Sequence, residues 1–161
     1  MLTQLGEVKH VAAGTGRTYW GPGDQLRFLL TGADTNGTLF VSEAIVPPGG
    51  GPPPHIHQRE DESFYVIEGT LTIQIGERIV QGSAGDLVFL PRGIAHSFKN
   101  TGRGKAKLLV TVTPAGLENY FAAVFDPAAD DSDTPPPMTP QFLERALAEA
   151  PKYGLILLPP A

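Results

Sequence analysis

The chain has 161 residues, 41% of them apolar, and a formal net charge of −5. That length suits one domain with a sizeable core, and the acidic balance, with no basic patch interleaved with aromatics, argues against nucleic acid as a partner. Cysteine is absent, which excludes disulfides and thiolate metal sites; no apolar run is long enough for a membrane span and the N-terminus lacks an apolar signal core, so a cytoplasmic protein that engages no membrane is expected.

In chain order, the segment up to Asp24 is irregular and is expected to add at most an edge strand, to this domain or to a partner chain. Short strand-like runs then recur at roughly ten-residue intervals, the spacing of a sandwich or barrel. They cover 26–30, 38–46, 63–67, 71–75, 78–81, 86–90, 96–100 and 106–113. Asn36-Gly37 and Gly76-Glu77 read as tight hairpin turns, because glycine supplies positive φ. Pro91-Arg92-Gly93 reads as a sharp turn ahead of the seventh run. The 25–115 stretch is thus the expected β core.

Beyond it the pattern changes. A helix is expected around 117–124. Residues 126–140, acidic and proline-rich, read as an extended exposed connection. Thr139 can cap a helix with Pro140 in its first position, and the helix runs to 150 with Phe142, Ala146 and Leu147 on one stripe. Pro151 is expected to stop it. An apolar strand-like tail, YGLILLPP, follows. The whole chain reads as one all-β domain with a short C-terminal helical extension.

Two spacings carry the chemistry. Gly49, His55, His57, Glu62 and Gly69 give G-x5-H-x-H-x4-E-x6-G; Gly85, Pro91, Gly93, His96 and Asn100 give G-x5-P-x-G-x2-H-x3-N. On a strand, i and i+2 side chains share a face, so His55 and His57 can chelate one ion together. Glu62 returns after a short turn, and His96 must come from a distant strand. Three imidazoles and a carboxylate suit one divalent transition metal ion (Fe, Ni, Co, Mn, Cu or Zn) rather than calcium. The ion and one carboxylate leave a centre near +1, which favours an anionic ligand. Because ligating histidines must be neutral, occupancy is expected to fall as pH drops through about 6 to 5.

Parity places Glu62, Phe64 and Val66 on one face, and His96, Phe98 and Asn100 on another. Phe64, Val66, Ile73, Phe89 and Phe98 are the expected walls of an apolar substrate pocket. Asn100 is read as a turn or second-layer hydrogen-bonder, His10 as a surface residue, and Glu60 and Asp61 as solvated rim groups.

The segments GGGPPPHIHQREDESFYVIEG and GDLVFLPRGIAHSFKN resemble the paired motifs of the cupin superfamily. FLLTGADTNG before them and PAGLENYFAAV after them are similar to the single-domain quercetin dioxygenase-like subgroup. The resemblance implies a jelly-roll β-barrel, metal ligands at His55, His57, Glu62 and His96, and a homodimer paired through its sheets. It also implies that Glu62 handles the substrate's proton as well as the metal. The function so implied is a metal-dependent dioxygenase acting with O2 on a small aromatic or enolisable, flavonol-like molecule. A metal-dependent isomerase or lyase on the same site, or a binding protein without catalysis, stand as alternatives. The isomerase or lyase is weakened by the apolar inward residues and the lack of an inward arginine cluster.

Overall fold

A computed structural model describes residues 7–128 and 135–159. It opens with β1 (Thr18–Trp20), β2 (Gln25–Leu30), the short helix α1 (Gly32–Thr35) and β3 (Phe40–Val46). Next come β4 (His55–His57), β5 (Asp61–Glu68), β6 (Thr70–Ile75), β7 (Arg78–Ser83), β8 (Leu87–Leu90) and β9 (His96–Asn100). The chain ends with β10 (Ala106–Thr113), α2 (Leu117–Val124), β11 (Asp126–Pro127), α3 (Pro140–Glu149), a 3-10 turn (Ala150–Tyr153) and β12 (Leu155–Leu157).

The strands form two antiparallel sheets. One runs β11-β1-β2-β3-β10-β5-β8 and the other β12-β4-β9-β6-β7. No ladder joins them among the described residues, so the jelly roll is two facing sheets rather than a closed hydrogen-bonded ring. Alternation sets the faces as expected: β10 and β3 bury every second residue, and their inward sets (Ala106, Leu108, Val110, Val112; Phe40, Ser42, Ala44, Val46) meet in the core. Aromatic rings continue it toward the helices, with Phe28 edge-on to Phe40 at 4.9 Å and Phe121 tilted against Phe40 at 6.1 Å.

Turn chemistry differs from expectation at one place. Gly76-Glu77 is the two-residue link of the β6–β7 hairpin, with Gly76 at φ 56° and Ile75 paired to Arg78. Asn36-Gly37 is not a hairpin turn. It closes α1, with Asn36 left-handed at φ 53° as the C-terminal cap. Thr31 and Asp34 hold the other end in a reciprocal capping box, which nucleates a helix where two residues would have served.

The C-terminal extension also differs in detail. Thr139 caps α3 as expected, its hydroxyl accepting from the Phe142 amide at 3.1 Å. Phe142 and Ala146 are buried, but Leu147 is 53% exposed: it lies one position round the helix from Ala146, outside the i, i+4 stripe that faces the sheets. α3 stops at Glu149, just ahead of Pro151 as expected, and a 3-10 turn continues the path. Pro151 sits in the first turn of the 3-10 segment, where a missing amide proton costs nothing. In the connection, 126–127 pair with β1 as an edge strand, 135–139 lack regular structure, and the remainder of the expected exposed link, 129–134, lies outside the described residues. Among the described residues no helix is long and apolar enough to cross a membrane.

Candidate metal centre

The loop that delivers the first histidines is held by tight backbone packing. Gly49 donates to the Asn100 carbonyl, Asn100 to Gly50, and Gly51 to Gly23. A Cβ on Gly51, whose φ is 137°, would overlap the Phe98 carbonyl oxygen, so only glycine fits there. Prolines 52–54 then feed the chain into β4 in an extended approach. β4 is flanked on one side by the tail strand β12, with Leu155 opposite His57 and Leu157 opposite His55. On its other side His55 pairs directly with His96 of β9.

Glu62 arrives from the facing sheet. The result is a cluster in which one donor atom from each of His55, His57, Glu62 and His96 lies within 4.8 Å of the others. Glu62 Oε2 is 3.0 Å from His96 Nε2 and 3.3 Å from His57 Nε2. The rings crowd one another at centroid distances of 4.4–5.2 Å. Backbone carbonyls orient two of them: Pro53 takes His55 Nδ1 at 2.9 Å and Ile94 takes His96 Nδ1 at 3.2 Å. That leaves each Nε2 turned to the common centre.

These residues fit a transition metal ion. Both ring nitrogens of His57 are buried without a hydrogen-bond partner in the structure. A buried polar atom left unpaired is costly, and a coordinated ion would satisfy Nε2. The donor set is nitrogen-rich with one carboxylate, and four donors converge.

The electrostatics agree at His55 and Glu62, whereas at His57 the lowering effect of burial is outweighed by Glu62 and Glu60, which raise the imidazole. Burial, with the neighbouring His57 and His96, pushes the His55 imidazole down to about 3 and keeps it neutral. Burial alone would raise the Glu62 carboxyl, but the His57 imidazole at 3.3 Å and the hydrogen bond with His96 outweigh it and hold Glu62 ionised, well below the usual range. A neutral imidazole and an ionised carboxylate are the forms a metal requires.

Beside the cluster lies a cavity of about 110 Å³, walled almost wholly by apolar side chains. Of the expected walls, Phe64 and Phe98 line it, edge-to-face at 5.1 Å. Val66 and Ile73 are fully buried in the core but do not reach the cavity. Phe89 is 60% exposed; on β8 it is Val88 and Leu90 that face inward, so Phe89 stands on the outer surface. Asn100 is buried but hydrogen-bonds none of the four ligands. Its amide donates to the Val46 and Gly104 carbonyls and accepts from Gly102, all at 2.8 Å, so it ties two loops together. His10 is exposed, outside the cluster.

Glu60 is not a rim residue. It is 4% exposed, its Oε2 4.0 Å from His57 Nδ1 and without a hydrogen bond. Burial is the main cause raising its carboxyl above the ordinary value. Asp61 does face outward, in a bidentate pair with Arg92. A carboxylate behind a ligating imidazole raises its basicity. Glu60→Gln is therefore expected to weaken metal affinity about tenfold in a competition titration; unchanged affinity would reduce Glu60 to a packing role.

The remaining walls were not legible from the two motifs. Tyr120 and Phe121 come from α2, Phe142 and Leu143 from α3, and Leu155 and Leu157 from the tail strand. The alternation in the tail, with Ile156 38% exposed between its neighbours, was the available signal. Asp24, just ahead of β2, also lines the cavity at 5% exposure. Its parity with Leu26 and Phe28 marks the same inward face.

Burial first, and then the Glu62 charge, push the Asp24 carboxyl up to about 7. The folded chain thus takes up a proton there between pH 3.8 and about 7, and stability falls as pH rises through that window. In metal-free protein, Asp24→Asn should therefore melt several degrees higher than the parent at pH 8. The difference should vanish near pH 4, where both side chains are neutral. An equal difference at both values would show that the charge is not the cause.

A family model described as a cupin domain matches residues 42–112, a span that includes all four ligands. Residues 42–112 are a cupin domain. Among curated relatives it is 28% identical over 106 residues to quercetin 2,3-dioxygenase of Bacillus subtilis (strain 168), covering 65% of this chain and 31% of that protein. It is 26% identical over 116 residues to tetracenomycin polyketide synthase protein TcmJ of Streptomyces glaucescens, covering 71% and 78%. This cupin therefore spans about a third of the dioxygenase and most of the polyketide protein. Among solved structures, an RmlC-like cupin from Shewanella frigidimarina NCIMB 400 superposes with TM-score 0.60 at 22% identity, over 73% of this chain and 99% of that one. That likeness supports the fold.

Proposed function

We propose that this cupin is a metal-dependent dioxygenase acting on a small aromatic or enolisable molecule. The observation that carries the reading is a carboxylate, Glu62, set among three imidazoles at the wall of an apolar cavity. Similarity to a quercetin 2,3-dioxygenase supports it, as does similarity to a tetracenomycin polyketide synthase protein. His55, His57, Glu62 and His96 would hold the ion, which when bound supplies Lewis acidity that favours an enolate and a centre where substrate and O2 meet.

The chain's own residues do the rest. Phe64, Phe98 and the helix side chains exclude water, so charges in the cavity act at short range in a low dielectric. Glu62 accepts the substrate's proton. In the metal-free chain, imidazole N–H groups hydrogen-bond Glu62 and make it a weak base. With the ion bound, a ligating Nε2 would have no proton to give, and the cation's charge would keep Glu62 ionised, the form that can accept a proton. The cavity, about 110 Å³ and open on one side, is of the same order as the ~150 Å³ void that accommodates benzene. A single ring or a short β-dicarbonyl suits it; a flavonol would have to displace side chains of α3.

The decisive experiment is anaerobic mixing of metal-reconstituted protein with a panel of flavonols, hydroxypyranones and β-diketones, followed by oxygen. Stoichiometric O2 uptake is expected, and Glu62→Gln should slow it by about 10²-fold or more. No uptake with any metal would end the dioxygenase reading, and turnover under strict anoxia would favour an isomerase or lyase instead. The same reading includes a homodimer, supported by the apolar side chains Tyr65, Ile67, Leu87 and Phe89 exposed on the outer face of the β5–β8 edge. Light scattering should give twice the chain mass.

A further inference from the structure

Asp24 is the one acidic side chain of the cavity wall that the metal cluster does not use. It is 5% exposed, among walls made almost entirely of carbon. No hydrogen bond or ion pair engages its carboxyl among the described residues, and the Glu62 charge acts on it unfavourably. A buried carboxyl with no partner is costly in either protonation state. Its position is nonetheless rigidly built. Gly21 donates to the Asp24 carbonyl at 2.9 Å, and Gly51 donates to the Gly23 carbonyl at 3.0 Å. The loop that delivers His55 therefore also fixes the turn that delivers Asp24. Asp24 approaches from β2, with β3 and β10 lying between β2 and the Glu62 strand. A ligand held at the cluster thus meets Asp24 from a separate wall.

We propose that Asp24 is the specificity-determining residue of this cavity, and that the preferred ligand is a one-ring chelating enol with a second hydroxyl on the side away from its chelating oxygens, which the Asp24 carboxyl hydrogen-bonds. The inference rests on the metal-cavity reading above and adds the ligand class to it. A carboxyl accepts from a hydroxyl when ionised and can also donate to one when protonated, whereas an aliphatic wall could do neither. Ligands lacking the hydroxyl leave the carboxyl buried and unpaired, which is how a polar group in an apolar site discriminates.

Kojic acid and allomaltol test this directly, since they share the chelating hydroxypyranone and differ by one hydroxyl across the ring. Their affinities would be measured by calorimetry on Zn-reconstituted protein under anoxia, with metal content assayed in every variant. The parent should bind kojic acid about tenfold or more tighter than allomaltol. Asp24→Leu and Asp24→Ala should bring the ratio to about one at unchanged metal content. Asp24→Asn, which keeps hydrogen-bonding capacity, should retain most of it. A ratio near one in the parent, or a ratio that survives in the leucine and alanine variants, overturns the proposal while leaving the metal cavity standing. Loss of metal in the alanine variant overturns it too, by making Asp24 a prop of the metal site. If neither chelator binds metal-loaded protein, the metal-cavity reading itself fails and takes the inference with it.

Discussion

Replacing His96 with alanine should empty the metal centre. Metal analysis of untagged protein should fall from about one ion per chain to near none, with affinity down by roughly 10²-fold or more, since even outer partners of a ligand are worth 10–100-fold. His96 is 3% exposed and is the link between β4 and β9 at the site, so no solvent-exposed group can replace it. His10→Ala, on an exposed residue outside the cluster, should retain full occupancy. Stability should report the same event. At a hundredfold excess of free metal over its dissociation constant, binding to the folded state alone adds about 2.7 kcal/mol. For a chain this size that is about 5–10 °C in melting temperature. A chelator should remove that increment from the parent and leave His96→Ala unmoved. Equal metal content in His96→Ala and the parent would refute the assigned ligand set.

Phe64→Ala is the second large effect. Phe64 is 1% exposed, packs edge-to-face on Phe98 and lines the cavity two residues after Glu62. Truncation deletes a ring from a close-packed interior and should cost about 3–5 kcal/mol. Typical domains have only about 5–15 kcal/mol in all, so the urea midpoint should drop sharply at unchanged slope. Phe89, in register with Ser63 on the adjacent strand, supplies the control. It is 60% exposed, and Phe89→Ala should stay within about 0.5 kcal/mol of the parent in monomeric protein. If Phe89→Ala were the costlier change, the β5–β8 faces would be inverted relative to this structure.

These two phenylalanines show where reading the sequence stopped working. Phe64 follows Glu62 at strand parity, so its inward direction came with the ligand. Phe89 had no such anchor. In LVFL every residue is apolar, and alternation cannot say which pair faces in. Pairing to β5 decides it, by placing Val88 opposite the inward Phe64. Glu60 was misread for a related reason. Beside Asp61 and Glu62 it looks like part of a solvated acidic run, yet it is packed behind His57 while Asp61 turns out to Arg92. Local charge density does not encode which member of a run the strand start rotates inward. Leu147 failed for want of tertiary information as well, since both sides of that stripe on α3 are apolar and only the sheet chooses between them.

Within 161 residues the sequence alone determined the chemistry of the centre. Ligand identity is covalent, the i, i+2 geometry of a strand puts His55 and His57 on one face, and the glycines and prolines of both motifs force the turns around them. What only the tertiary structure decided is everything that depends on bringing distant segments together. Three imidazoles come from one sheet and the carboxylate from the other, and the cavity is finished by two helices and a tail strand far along the chain. Asp24, the acidic wall residue outside the metal cluster, comes from well before either motif. Side-chain direction is a local property of the backbone, but enclosure is a property of packing, and the burial and neighbouring charges that together set the states of Glu62, His55 and Asp24 exist only once the sheets have closed over them.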